Sequence, residues 1–443
     1  MAAAQQNASA DHLAVICHGL WGNPSHLNHL RDTLRAAYSD QSLHILVPTS
    51  NSDNQTYDGV EVGGERIANE IEQRLSELEQ QGHKIKKISI TGYSLGGLVA
   101  RYAIGLMYSS GLFDRIQPIN FTTFATPHIG VRTPRLGARS YFFNFMGART
   151  LSTSGQQLFL IDSFRDTGRP LLSLMADPNS VFTAGLRRFK HKWLYANTMN
   201  DRSVPYYTAM FSRTDAYVDL DKVEVHYAKG QPKPGNVILD PENPVTPKQP
   251  SGEQLSLVQR LMPHQRTINN IPFYMVIFSL LPLALPVFLA NAGYQTYQSA
   301  QRIRHHESGK AFSLDRYRVK LLEEAQAVQD RVYERVVEQQ AEDYLPTPPP
   351  ESQSVDSASS HTKEDLELSR RETTREKGPS PLLVLTEGQF DMIENLDNLG
   401  FTKYPVHIQK VRHTHAAIVV RIQKESFAEG RVVVQHWIDK FEI

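Results

Sequence analysis

Short apolar runs recur along the first half of the chain, each bounded by polar or glycine-rich turns. LAVIC (13–17), HILVP (44–48), KKISIT (86–91), FTTFATP (121–127) and WLYANT (193–198) have the length and apolar character of strands covered on both faces. Between them the period changes to that of a helix. Val62, Ile67, Ile71, Leu75 and Leu78 share one face of 60–80, with Gly82 placed to stop it. LVARYAIGLMY (98–108) is apolar enough for a buried helix. Strands alternating with helices over 12–225 predict an α/β core, a mostly parallel sheet with helices on both faces. Residues 128–190 lack a strand pattern and hold the aromatics Tyr141, Phe142, Phe143 and Phe145. Their place between two core strands predicts a mobile apolar cap insertion.

Beyond 225 the pattern breaks. Residues 231–253, rich in Pro, Gly and polar side chains, read as a linker. Residues 267–301 contain no Asp, Glu, Lys or Arg, and IPFYMVIFSLLPLALPVFLA (271–290) is strongly apolar. Leu321, Ala325, Val328, Val332 and Val336 form a stripe that predicts an amphipathic helix over 314–340. These features fill 226–342. Residues 343–380, Pro- and Ser-rich and charged, predict a disordered linker. Order is expected again over 381–443, with a strand at VHIQKV (406–411) and a terminal helix, as the C-terminal part of the same core.

The third strand runs into GYSLG (92–96), which fits G-x-S-x-G. A strand before and a helix after are what a nucleophile elbow requires. The two glycines permit a strained, tightly packed turn that lifts the Ser94 hydroxyl clear of the sheet, beside backbone N–H groups at a helix N-terminus. HGLWG (18–22) ends the first strand, where a loop can supply a second oxyanion donor. The backbone amides of Leu20 and Leu95 are the candidate oxyanion hole, and His18 reads as a residue that shapes the loop.

A triad on this scaffold runs Ser, then Asp or Glu, then His. WLYANTMNDRSVPY (193–206) places Asp201 in a polar turn after a strand, ahead of Asp162, Asp215 and Asp219 as the acid. VHIQKVRHTHAAIVVR (406–421) offers His407, His413 and His415. His415 is favoured, because the small Ala416 and Ala417 let an imidazole approach Ser94, and His413 stands next.

Charge and composition narrow the function. The chain has 47 basic and 47 acidic residues, so it lacks the basic excess of a global nucleic-acid binder. A single cysteine, Cys17, permits no disulfide within the chain, which fits a reducing compartment. The first residues lack a secretory pattern, so a secreted protein is not expected. No spacing of Cys, His or acidic residues suggests a metal site, and no fingerprint suggests a cofactor.

With these residues assembled, the chain resembles the fungal lipase-like serine esterases that include the lipid-droplet phospholipases. The matching stretches are HGLWGNPSHL, the Tyr57-Asp58-Gly59 turn with GGERIANEI after it, ITGYSLGGLVARYAIG and FTTFATPHIGVRTP. RTLSTSGQQLFLID, PLLSLMADPNSVF, YANTMNDRSVPYYTA and HAAIVVR also match. The resemblance covers about 12–220 and 395–425. It implies an α/β-hydrolase fold, fatty-acyl esters of glycerophospholipids or acylglycerols as substrates, and a triad that by motif falls on Ser94, Asp201 and His415. An acyltransferase with the same triad, or a lipid-binding protein without activity, would share much of this pattern.

The apolar segment bears on location. Its 20 residues would measure about 30 Å as a helix, long enough to span a bilayer. A single span would part Ser94 and Asp201 from His415. Pro282 and Pro286 near its middle predict a monotopic hairpin with both ends cytosolic, flanked by Arg260 and Arg266 on one side and Arg302, Arg304 and Lys310 on the other. The expected address is a lipid-droplet monolayer or the cytosolic face of the endoplasmic reticulum.

Overall fold

The computed structural model describes residues 10–132, 144, 147–218, 220–232, 234–248, 271–309, 383 and 385–443, and for 166, 221 and 271–285 the backbone alone. Its centre is a six-stranded sheet in which every pairing is parallel. The strands are β1 (His12–Cys17), β2 (His44–Leu46), β3 (Lys87–Tyr93), β4 (Gln117–Phe124), β5 (His191–Asn197) and, after the small antiparallel pair β6 (Val223–Val225) and β7 (Val245–Pro247), β8 (Thr402–Val406). The order is β2-β1-β3-β4-β5-β8.

Alternation along each strand divides the core between the two faces. Leu13, Val15 and Cys17 of β1 meet Ile88, Ile90, Phe121 and Leu194 under α2 (Gly59–Gln80) and α3 (Leu95–Ser109). Ala14 and Ile16 face the other way, with Tyr93, Phe124, Tyr195 and Trp437, under α1 (Asn28–Ala37) and the terminal helix Ala428–Lys440. Burying both faces is why these strands read as unbroken apolar runs. At the end of α2, Gly82 takes φ +90°, and the His83 amide bonds the Leu78 carbonyl. A left-handed glycine with that bond ends a helix.

The C-terminal strand departs from the sequence expectation. VHIQKV (406–411) begins where β8 ends, and the strand is the preceding TKYPV. Pro405 is tolerated because β8 is the last strand of the sheet, where a missing N–H need not interrupt the ladder. Its carbonyl accepts from the Leu239 amide (2.9 Å), and His407 donates to Val237 (2.7 Å). Val237, Ile238 and Leu239 are fully buried, so part of the expected 231–253 linker covers the sheet edge.

Two insertions are described in part. The described part of the expected cap includes helices Ser152–Leu158, Leu171–Met175 and Val181–Arg187, whose Leu158, Leu172, Met175 and Phe182 join the core cluster beneath α2 and α3. Tyr141, Phe142, Phe143 and Phe145 lie outside the described residues, as do the expected helix at 314–340 and linker at 343–380. The segment expected to turn at Pro282 and Pro286 is instead part of one helix, Ile271–Glu307. A proline removes one backbone hydrogen bond and bends a helix, and neither proline ends this one. Among the described residues no helix is long and apolar enough to cross a membrane.

Two histidines, His12 buried and His436 half-buried, give the fold a pH dependence. His12 bonds Ser89 Oγ (2.8 Å) and stacks on Phe441, and His436 bonds the Tyr195 hydroxyl (2.8 Å). Burial holds each imidazole down at about 4. An unfolded histidine titrates near 6.5, so between those values the unfolded chain binds protons that the folded chain refuses. Their stabilisation is complete above about pH 6.5 and is lost as the pH falls toward 4. Urea unfolding at pH 5 is expected to show stability lower than at pH 7.5 by on the order of 2 kcal/mol for each histidine, about 4 kcal/mol for the two together. Equal midpoints would contradict this reading.

Candidate active site

The β1–β3 crevice is a topological switch point: β2 lies on one side of β1 and β3 on the other. Ligands in open α/β sheets bind outside the strand carboxyl ends at such a point. Ser94 follows β3 there, at φ 55° and ψ −129°, a conformation that strains a residue carrying a Cβ. Its amide is held by the Phe124 carbonyl (2.9 Å). A Cβ on Gly96 would collide with the carbonyl oxygens of Cys17 and His18, so glycine lets α3 start against the β1 loop. Gly19 lies so close that a Cβ there would sit 2.6 Å from Ser94 Cβ. The loop carrying Leu20 and the helix start carrying Leu95 therefore converge on Ser94.

His415 lies in the short helix Thr414–Ala417. Its Nε2 is 3.0 Å from Ser94 Oγ and its Nδ1 is 2.9 Å from Asp201 Oδ2. Asp201 follows β5 in a turn where Asn200 takes φ 57°. The other carboxylate oxygen accepts the amides of Ser203 (3.0 Å) and Val204 (2.8 Å), and Asn197 Nδ2 donates to Oδ2 (2.8 Å). With four donors the carboxylate is satisfied and fixed, and its side chain is 2% exposed. An Nδ1–H donated to Asp201 leaves Nε2 as an acceptor facing the serine hydroxyl, the tautomer a general base needs.

The other candidates are occupied elsewhere. Asp162 accepts the Leu171 amide, Asp215 accepts the Tyr217 amide, and His407 bonds the Tyr227 hydroxyl. Asp219 lies outside the described residues. His413 precedes the short helix as its N-terminal flank. His18 is buried, bonded to the Gly19 carbonyl and Ser52 Oγ (both 3.2 Å), and its pKa is lowered by burial. These bonds tie the loop after β1 to Ser52. Cys17 is buried beneath that loop, its thiol pushed well up by desolvation. No cluster of His, Cys, Asp and Glu suited to a metal occurs among the described residues.

Tyr93 is a residue that the sequence reasoning missed. Its hydroxyl donates to the His415 carbonyl (2.9 Å), and its ring lies 5.1 Å from the imidazole. Thr414 Oγ1 donates to the Met199 carbonyl (2.8 Å). The histidine loop is thus tied to the elbow and to the acid turn. The only trace in the sequence is a tyrosine next to Ser94.

Residues 7–215 match the family model described as "Putative serine esterase (DUF676)". The serine esterase match includes Ser94 and Asp201 and ends before the 271–307 helix and His415. Similar proteins include "Putative lipase ROG1" of Saccharomyces cerevisiae, 33% identical over 239 residues, 53% of this chain and 33% of that protein. "Putative lipase C4A8.10" of Schizosaccharomyces pombe is 28% identical over 249 residues, 55% of this chain and 30% of that protein. The chain therefore spans about a third of the length of these curated relatives. Among solved structures, the peroxisomal alpha-beta-hydrolase Lpx1 of Saccharomyces cerevisiae overlays at TM-score 0.29 and 10% identity, covering 48% of this chain and 69% of that one. Phospholipase PlaB of Legionella pneumophila overlays at TM-score 0.27 and 12% identity, covering 72% and 63%. The parallel sheet order, with the serine elbow after β3, is that of an α/β-hydrolase fold.

Proposed function

We propose that this protein hydrolyses fatty-acyl ester bonds of glycerophospholipids or acylglycerols at a lipid surface. The observation that carries the chemistry is the hydrogen-bonded relay Ser94–His415–Asp201, built on a strained serine at a helix N-terminus. Ser94 Oγ attacks the carbonyl carbon while His415 Nε2 takes its proton. The oxyanion lies between the Leu20 and Leu95 amides, each worth about 3 kcal/mol by analogy with single-donor deletions. As the tetrahedral species collapses, His415 returns the proton to the departing alcohol. Water, deprotonated by the same imidazole, then releases the fatty acid. Asp201 holds the imidazole's tautomer and stabilises its charged form.

The lipid surface is supported by the 271–307 helix. Val287 is 65% exposed and Phe288 51%, while Ala292, Ser299 and His306, further along, are buried. One half thus docks beside the Asp53–Tyr57 turn and the other carries an apolar sequence outward. Tyr294 and Tyr297, both exposed, lie between that apolar half and the basic residues Arg302 and Arg304. Apolar, then aromatic, then basic is the order met on passing out of a phospholipid layer. In this reading 271–290 enters a lipid-droplet monolayer or the cytosolic leaflet of the endoplasmic reticulum.

Deleting 271–289 is expected to release the protein from lipid droplets in a flotation assay while its turnover of a short-chain, water-soluble ester stays within about twofold of wild type. The docked half of the helix and the relay are left in place. Retention on droplets would transfer the anchor to another segment and sink this assignment.

A further inference from the structure

The docked half of the 271–307 helix reaches a segment that the proposed chemistry uses. Arg302 Nε donates to both oxygens of Asp58 (3.1 and 3.0 Å), and its Nη2 donates to Asp58 Oδ1 (2.8 Å) and to the Asn54 carbonyl (2.8 Å). The Asp58 side chain is fully buried and also accepts from Arg66 (2.9 Å). About two turns of α2 further on, His306 Nε2 bonds the buried Glu65 carboxylate (2.7 Å). Burying two carboxylates at this contact is costly unless each is paired, so the helix has one well-defined seat.

The seat includes the short 3-10 turn Asp53–Tyr57, and the oxyanion loop rests on the same turn. The Trp21 amide donates to Thr56 Oγ1 (3.0 Å), and the Asp53 amide donates to the Gly22 carbonyl (2.7 Å). Asn23 Nδ2 donates to Asp53 Oδ1 (3.2 Å), and the Trp21 and Tyr57 rings meet at 6.3 Å. Trp21, next to Leu20, takes φ 54°, a conformation that a tryptophan keeps only when its surroundings impose it. Those surroundings are residues 52–58, and Arg302 is bonded to two of them.

We propose that Arg302 is a positioning residue for the oxyanion hole. By pairing with Asp58 and bonding the Asn54 carbonyl, it holds the Asp53–Tyr57 turn against 18–23 and keeps the Leu20 amide aimed at the reacting carbonyl. This rests on the esterase reading of Ser94. It gives one helix two roles: the apolar end meets lipid, and the basic end completes the catalytic geometry.

The test uses the full chain and a monomeric short-chain ester without lipid. Arg302→Ala and Asp58→Asn are expected to lower kcat about 10-fold with KM within about twofold, as for a contact that acts in the transition state. The pH midpoint of kcat should not move, because His415 and Asp201 are untouched. Arg302→Lys should recover part of the loss, since an ammonium pairs with Asp58 but lacks the planar fork. Arg74→Ala, which removes a surface pairing with Glu77 within α2, serves as a wild-type-like control. Wild-type kcat in folded Arg302→Ala would overturn the proposal, as would a loss confined to KM or a shifted pH midpoint. Should Asp58→Asn fail to fold, the Arg302→Ala and Arg302→Lys pair still decides. If Ser94→Ala retains full turnover, the esterase reading has failed, an outcome separate from any result at Arg302.

Discussion

Ser94→Ala is expected to lower ester turnover by at least about 10³-fold, and by up to about 10⁶-fold if it behaves like other serine nucleophiles. The substitution removes the one atom that can carry the acyl group. It leaves the amides of Leu20 and Leu95 in place, so a residual rate above the uncatalysed reaction should remain. Folding should be unaffected, because alanine meets the same backbone strain at φ 55° and the hydroxyl's one side-chain partner among the described residues is His415 Nε2. Steady-state hydrolysis of a chromogenic short-chain ester measures the effect. A variant that keeps more than about a tenth of wild-type kcat would remove Ser94 from the chemistry.

Asp201→Asn is expected to cost about 10⁴-fold in kcat with little change in KM, by the logic of an imidazole held in the wrong tautomer. The carboxylate accepts on both oxygens: Ser203 and Val204 amides on one, Asn197 Nδ2 and His415 Nδ1 on the other. An asparagine must turn its NH₂ toward one of those pairs. Facing His415, the NH₂ favours the tautomer whose Nε2 carries the proton and can no longer accept one from Ser94. Facing the amides, it places donors against donors and distorts the turn. Asp162→Asn, which changes an acid engaged with the Leu171 amide, should lose less than about 10-fold. Equal losses at the two positions would mean that Asp201 acts through folding alone.

Much of the sheet was legible because parallel strands carry a local signal. β1, β3, β4 and β5 are apolar on both faces, and the turn after β3 must combine small residues with a serine, so GYSLG marks it in one line of sequence. β8 was misplaced by several residues, since Lys403 and Pro405 break its apolar pattern while the sheet edge tolerates both. The edge cover at Val237–Leu239 was hidden in a stretch that otherwise reads as linker, because its burial depends on where β8 lies. The apolar segment was recognised by composition, but its shape was not. Two prolines argue locally for a turn, whereas the backbone continues as one helix into a half whose Arg302 and His306 dock on α2 and the turn before it.

The site divides along the same line. Ser94 is set by a local motif and Asp201 by its turn after a strand. His415 was separated from His413 only by the small residues that follow it and by a family motif, and the geometry brings His415 to Ser94. Tyr93 and Arg302 left almost no trace, because what matters about each is a partner hundreds of residues away: Tyr93 with His415, and Arg302 with Asp58. Such contacts belong to the packing of the chain and have no local period or spacing that a sequence could display.

The most direct test of the esterase assignment is covalent. A fluorophosphonate probe should label the wild-type protein at one site, and digestion followed by mass spectrometry should place the adduct on the peptide that contains Ser94. Ser94→Ala should not label, and His415→Ala should label far more slowly, since the hydroxyl then has no base at 3.0 Å. Equal labelling of wild type and Ser94→Ala, or an adduct on any other residue, would contradict the nucleophile assigned here.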